Sequence, residues 1–179
     1  MARFKIDFEF HDMEETRDKL KHFNPERDDY VKCSYGKIII KMDGKVVNNP
    51  LCKPDHPFYG KYTDSTWLLF PYWELLTLLY NGFTEEGTRI PFLDNSLDLY
   101  FKKNNENVDV YFTYSIIDKF DNNRVIESVT STPEEISKSI LQSFDRLYQF
   151  FIDANPIFNN ELKHFKTRMD ECKKKYNIN

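Results

Sequence analysis

The 179-residue chain has few small and few sulfur-containing residues. It contains 5 glycines and 3 cysteines, and alanine occurs only at Ala2 and Ala154. Histidine is also scarce, with 4 residues. The glycines never cluster, which excludes a glycine-rich loop of the kind that cradles phosphate groups. The cysteines are odd in number and far apart in sequence. They therefore predict reduced thiols in a cytoplasmic protein and not a disulfide framework.

Long hydrophobic runs are also missing. The longest apolar stretch, residues 67–80, is interrupted by a proline, a glutamate and a threonine, and it is too short to span a bilayer. The first ten residues alternate charged and aromatic side chains, whereas a signal peptide needs a continuous apolar segment. We therefore expect a protein with no membrane segment and no secretory leader.

Excess positive charge is absent as well. Lys and Arg total 25 against 29 for Asp and Glu, which gives a net charge of −4 and a pI near 5.6. This balance argues against direct binding to nucleic acid or to an anionic membrane. The charge is uneven, since residues 84–135 carry 11 acidic and 5 basic side chains, while residues 136–179 carry 5 and 8. A partner protein with a basic surface fits this distribution best.

The first part of the chain predicts a strand, a helix and a meander. Apolar and charged residues alternate over residues 4–10, which is typical of a half-buried strand. Asp12 and Glu15 form a capping box at the start of a helix. Short β-prone runs with a turn signal at Asp43 and Gly44 predict an antiparallel meander over residues 30–47.

A long loop and an apolar helix follow. Residues 48–64 contain three prolines and several aromatic residues, and a loop of this length is usually functional or disordered. Pro71 is placed as the first residue of a helix that ends at Gly82. Because this helix is apolar nearly all round, we expect it to be central.

The remaining sequence predicts a second meander and two C-terminal helices. Strands are indicated at residues 97–103, 108–115 and 124–130, and Thr132 with Pro133 marks the start of a long helix. The predicted fold is α+β, with two antiparallel β-meanders, in one sheet or two, packed with a central apolar helix and two C-terminal helices. We expect a single compact domain over residues 1–179, divided into 1–47 (strand, helix, meander), 48–64 (proline-rich and aromatic loop) and 65–179 (helix, acidic meander, C-terminal helices).

The second meander supplies the principal candidate site. Alternation places its outward side chains on the face opposite the core: Asp98, Tyr100, Lys102, Asp109, Tyr111 and Thr113. Tyrosines are good interface anchors, and carboxylates steer a basic partner. If this face is exposed, Asp98→Lys and Tyr111→Ala should leave stability nearly unchanged.

These features predict a non-catalytic, acidic protein-binding module. The most concrete form is an inhibitor or immunity-type protein that neutralises a toxin or a defence enzyme. In size, charge and architecture, though in no motif, the chain resembles bacterial toxin immunity proteins and phage-encoded inhibitors of bacterial defence. The resemblance implies a cytoplasmic protein that binds another protein. We expect the chain itself to be a monomer or a homodimer.

Two alternatives remain open. The first is a small-ligand-binding protein or enzyme with a pocket under the 48–64 loop, lined by His56, Phe58, Tyr59, Tyr62, Trp67 and Trp73. The second is a structural homodimer formed through the apolar seam of the last helix. Cys52, Asp55 and His56 match no established metal-ligand spacing, and neither a catalytic motif nor a cofactor motif is visible, so we predict no metal site, no cofactor and no enzyme.

Overall fold

A computed structural model describes residues 2–91, 97–115 and 120–178. Within these ranges the protein has two antiparallel sheets of four strands each and five α-helices, which confirms the predicted α+β class. In chain order the elements are β1 (Phe4–Phe10), α1 (Met13–Lys21), β2 (Tyr35–Met42), β3 (Lys45–Val46), β4 (Asp64–Trp67), α2 (Leu69–Asn81), β5 (Thr88–Pro91), β6 (Leu97–Asn104), β7 (Asn107–Tyr114), β8 (Val125–Ser131), α3 (Pro133–Ala154), α4 (Phe158–Glu161) and α5 (Lys163–Lys175).

Sheet A consists of β1 to β4, with β2 in the middle. β1 pairs with β2 along its full length, and β3 and β4 pair with the other side of β2. The alternating residues of β1 separate as predicted, because Ile6 is buried while Lys5 points outward. β2 alternates in the same way, with Ile38 and Ile40 buried. β4 returns to β2 after the long loop, so sheet A is not a simple meander.

Sheet B is a true meander in the order β5, β6, β7, β8. Its inner face contributes Leu99, Phe101, Val110 and Phe112 to the core. The sequence did not predict β5, a four-residue edge strand that ends at Pro91, where a proline costs no ladder hydrogen bond. The strands form two sheets, and this settles the alternative that the sequence left open.

α2 lies in the core, as its apolar surface predicts, with seven of its residues buried. It begins at Leu69, two residues before the predicted start. The Leu69 amide donates a hydrogen bond to Ser34 Oγ at 3.2 Å, which caps the helix from another part of the chain. Pro71 then lies in the first turn, where its missing N–H costs no helical hydrogen bond.

α3 protects the free edge of β1. Thr132 caps its first turn, as predicted, by accepting a hydrogen bond from the Glu135 amide. On the β1 side, Ser139 Oγ accepts a hydrogen bond from the Ile6 amide at 2.9 Å, and Arg146 pairs with Asp7 at 2.6 Å. α3 therefore covers this edge of the sheet and supplies a partner for the Ile6 amide.

The C-terminal helices pack inside the molecule. The seam residues Phe165, Met169 and Cys172 are buried, and Lys175 Nζ donates hydrogen bonds to the Leu79 and Tyr80 carbonyl oxygens at the end of α2. The seam therefore belongs to the core, so the surface through which the sequence predicted a dimer is not exposed. None of the helices in the described ranges has the length and apolar character needed to cross a membrane.

Candidate functional site

The predicted partner-binding face on sheet B is largely covered. Asp98 and Thr113 are fully buried and Tyr100 is nearly so, whereas Asp109 and Tyr111 are half-buried. Lys102 is the one exposed member of the six. The expectation of an exposed face is therefore wrong for three of these residues.

The buried carboxylate of Asp98 is paired with Arg89, which lies on β5, the strand that the sequence did not predict. Arg89 Nε lies 2.7 Å from Asp98 Oδ2, and the same guanidinium donates a hydrogen bond to Ser115 Oγ. Thr113 Oγ1 donates to the Arg124 carbonyl oxygen at 3.0 Å. Asp98 Oδ2 and Thr113 Oγ1 therefore have partners within the chain and do not point to a partner protein.

Phe120 covers the two tyrosines. Its ring stacks on Tyr100 at a centroid distance of 4.5 Å and lies 4.8 Å from the ring of Tyr111. The Tyr100 hydroxyl donates a hydrogen bond to the Glu86 carbonyl oxygen, and burial raises the pKa of Tyr100. Gly87 makes this approach possible, because a Cβ there would overlap the Tyr100 hydroxyl.

The second carboxylate of the face is also occupied. Asp109 accepts hydrogen bonds from Thr130 Oγ1 at 2.6 Å and from Asn104 Nδ2 at 2.9 Å. A carboxylate with such partners has less capacity to pair with a basic partner protein.

The 48–64 loop, by contrast, is fixed against the outer face of sheet A. The Gly60 amide donates to Asn48 Oδ1 at 2.6 Å, which closes the loop across twelve residues. Thr63 Oγ1 accepts a hydrogen bond from the Ile40 amide at 2.8 Å, and Asn49 Nδ2 donates to Asp64 Oδ2. The loop therefore presents its side chains from a defined backbone.

Aromatic rings of the loop meet rings of the sheet at this position. His11 stacks on Tyr35 at 5.3 Å, and Phe58 lies 6.0 Å from His11 and 5.3 Å from Tyr62. The ring of Trp67 contacts that of Tyr35, with a centroid distance of 6.3 Å. We call this region the aromatic surface. It consists of the contacting rings of His11, Tyr35, Phe58, Tyr62 and Trp67, together with Leu51 and Tyr59, which are exposed on the same 48–64 loop.

A charged pair lies beneath these rings. Lys37 Nζ is 4.5 Å from the centroid of Tyr62 and 3.7 Å from Glu9 Oε1, and it is mostly shielded from solvent. The Tyr62 hydroxyl donates to Glu9 Oε2 at 2.8 Å, and this hydrogen bond raises the pKa of Tyr62. Lys37 contacts the Tyr62 ring and Glu9 accepts a hydrogen bond from its hydroxyl, so the ion pair holds the ring in place.

His11 connects the aromatic surface to β4. Its Nε2 lies 3.2 Å from Ser65 Oγ, and burial, followed by the nearby charge of Lys37, lowers the pKa of its imidazole. His11 and Tyr35 also border a cleft of about 370 Å³ whose opposite wall is formed by α1.

Three members of the aromatic surface remain well exposed. Tyr35 is 43% exposed, Tyr59 44% and Leu51 75%. Large apolar side chains held on an ordered backbone and facing solvent are typical of binding sites.

The predicted ligand pocket is divided by the structure. His56, Phe58, Tyr59, Tyr62 and Trp67 belong to the segment that forms the aromatic surface, where Phe58 contacts His56 at 5.1 Å. Trp73 lies elsewhere, on α2, where its ring contacts His164 and Phe165 of α5. The prediction that Trp73 shares a pocket with the loop is therefore wrong, because the helix directs this side chain toward α5.

Sequence reasoning missed His11, Tyr35, Lys37 and Glu9 as parts of this site. Glu9 occupies an outward position of β1, whose alternation the sequence shows, so its side of the sheet was predictable. Tyr35 and Lys37 lie on β2, which the sequence identified only as a β-prone run. What the sequence did not show is that the 48–64 loop folds over that side.

The described residues contain no group of three His, Cys, Asp or Glu side chains that could hold a metal ion. Comparisons with protein-family models, with curated proteins and with solved structures found no match for this chain.

Proposed function

We propose that the protein is a binding module that contacts another protein through the aromatic surface. The exposure of Tyr35 and Tyr59 on a hydrogen-bonded backbone carries this proposal. Tyrosine provides a large contact area at a small cost in side-chain entropy, and preorganised anchors lose less freedom when they bind.

The charge of the chain supports a basic partner. A net charge of −4 attracts a positively charged protein at long range and increases the rate of encounter. We extend the proposal to an inhibitory or immunity-type role, in which the module covers the functional surface of a basic toxin or defence enzyme. The aromatic surface replaces the outer face of sheet B as the contact region.

The test compares two tyrosines of similar exposure. Tyr59 belongs to the aromatic surface and is 44% exposed, whereas Tyr114 on β7 is 39% exposed and lies outside it. Tagged wild-type protein, Tyr59→Ala and Tyr114→Ala are used to capture proteins from a lysate of the source organism. Because both side chains are exposed, neither variant should change stability by more than about 0.5 kcal/mol.

We expect a partner captured by the wild type to be lost with Tyr59→Ala and retained with Tyr114→Ala. Tyr35→Ala should repeat the loss. Retention of the partner by Tyr59→Ala and Tyr35→Ala, or its loss with Tyr114→Ala alone, would show that the aromatic surface is not the contact region. A captured partner that is acidic would contradict the charge part of the proposal.

A further inference from the structure

A groove between α2 and α5 lies apart from the aromatic surface and consists of two adjoining cavities. Trp73 and His164 line both of them. The first cavity has a volume of about 210 Å³ and is otherwise lined by Tyr30, Val31, Leu69, Phe70 and Phe165. The second has a volume of about 530 Å³ and is bordered by Tyr80, Asn160, Lys163, Thr167, Arg168 and Glu171.

The first cavity suits an aromatic ring. Its walls are nearly all apolar, and an apolar cavity of about 150 Å³ is already large enough to hold benzene. The 210 Å³ available therefore accommodates a phenyl ring with a short alkyl chain leading toward the second cavity.

The second cavity supplies a positioned cation. The guanidinium carbon of Arg168 lies 4.1 Å from the centroid of Tyr80 and 5.4 Å from that of Trp73, so the two rings hold it in place. Glu171 is 3.6 Å from Arg168 Nε, which is an ion-pair distance longer than a hydrogen bond. The guanidinium, with five N–H donors, keeps capacity for another carboxylate.

Lys163 adds a second positive charge to the same cavity. Its side chain is exposed and has no ion-pair partner among the described residues. Glu171 is the one carboxylate that borders the cavity, against the two cations Lys163 and Arg168. The local charge therefore favours an anion.

We propose that this groove binds a small arylalkyl carboxylate. The aromatic ring occupies the apolar cavity beside Trp73, and the carboxylate pairs with Arg168 and Lys163. This site is independent of the protein-binding function proposed above, since it shares no residue with the aromatic surface.

The test is an NMR titration of the full chain with 3-phenylpropionate and with its neutral analogue 3-phenylpropan-1-ol. The protein has 2 tryptophans, so the indole N–H signal of Trp73 reports the groove and that of Trp67 serves as the reference. The Trp67→Phe variant assigns the two signals. We expect the Trp73 signal to shift with both compounds and the carboxylate to bind at least threefold more tightly than the alcohol.

Two variants separate the halves of the site. Arg168→Gln should remove most of the preference for the carboxylate over the alcohol, and Arg168→Gln combined with Lys163→Gln should remove all of it, while Lys138→Gln, at an exposed lysine on α3, should change the affinity for neither compound. Val31→Phe should fill the apolar cavity and abolish binding of both compounds. Equal shifts of both indole signals, equal affinity for the two compounds, or unchanged carboxylate affinity in Arg168→Gln would overturn the proposal.

Discussion

The outer faces of the two sheets carry similar side chains and differ in what covers them. Sheet B presents tyrosines between carboxylates, but Arg89 neutralises Asp98 and Phe120 covers Tyr100 and Tyr111. The outer face of sheet A carries the 48–64 loop, which adds exposed rings to it. A period-two pattern therefore identifies the side of a sheet, whereas the segments that cross that side decide whether it is available to a partner.

The largest expected effect is the destabilisation caused by Asp98→Lys. The variant replaces a fully buried carboxylate with a cation beside Arg89, and breaking a buried ion pair costs about 3–5 kcal/mol. This prediction reverses the one drawn from the sequence. Urea unfolding gives the free energy, and Lys102→Ala on the same face should stay within about 0.5 kcal/mol of the wild type. Equal stability of Asp98→Lys and the wild type would mean that the sheet B face is open after all.

Two glycines with positive φ, one beside sheet B and one in the 48–64 loop, allow the packing of the two regions to be compared. Gly87 has a φ of +88°, and a Cβ there would overlap the Tyr100 ring, whereas Gly60 in the loop has a φ of +72° and open space around it. We expect Gly60→Ala to cost about 1 kcal/mol, from backbone strain alone. Gly87→Ala should cost at least about 1 kcal/mol more, because Tyr100 must move. Similar unfolding free energies for the two variants would show that Tyr100 is not tightly held.

Phe120→Ala tests the cover of sheet B directly. Loss of a ring that contacts Tyr100 and Tyr111 should lower the free energy of unfolding by about 2 kcal/mol, less than for a core phenylalanine because Phe120 is half-buried. The measurement is again urea unfolding. A variant as stable as the wild type would show that Phe120 does not close this face in solution.

The smallest expected effect concerns His11 and pH. Its pKa is lowered in the folded protein by burial and then by Lys37, so the unfolded chain takes up a proton at a higher pH than the folded chain. The contribution of His11 to stability is therefore complete above about pH 6.5 and is lost as the pH falls below that value. The decrease in the urea midpoint between pH 7.5 and pH 5 should be smaller in His11→Gln than in the wild type. Equal decreases would assign the pH dependence to other groups.

Much of the fold was predictable from local patterns. Alternation identified β1, β6 and β7, β-prone runs beside a turn signal indicated β2, and the Thr132 cap located the start of α3 within one residue. These features depend on near neighbours in the sequence, and local rules describe them well.

The candidate site was less predictable because its parts come from distant segments. Arg89 reaches Asp98 from a four-residue strand with little pattern of its own, and Phe120 and Phe58 fold back from connecting segments. The sequence predicted that Trp73 lines a pocket under the 48–64 loop, whereas α2 directs its ring to α5. Contacts of this kind depend on tertiary packing, which a periodicity does not encode.

Photocrosslinking from positions 59 and 114 tests the central claim most directly. A benzoylphenylalanine in place of Tyr59 or Tyr114 retains a large aromatic group at each site, and both variants are irradiated in a lysate of the source organism. If the aromatic surface binds a partner, position 59 gives a specific adduct with a basic protein and position 114 gives none. An adduct from position 114 alone, or no adduct from position 59, would contradict the account.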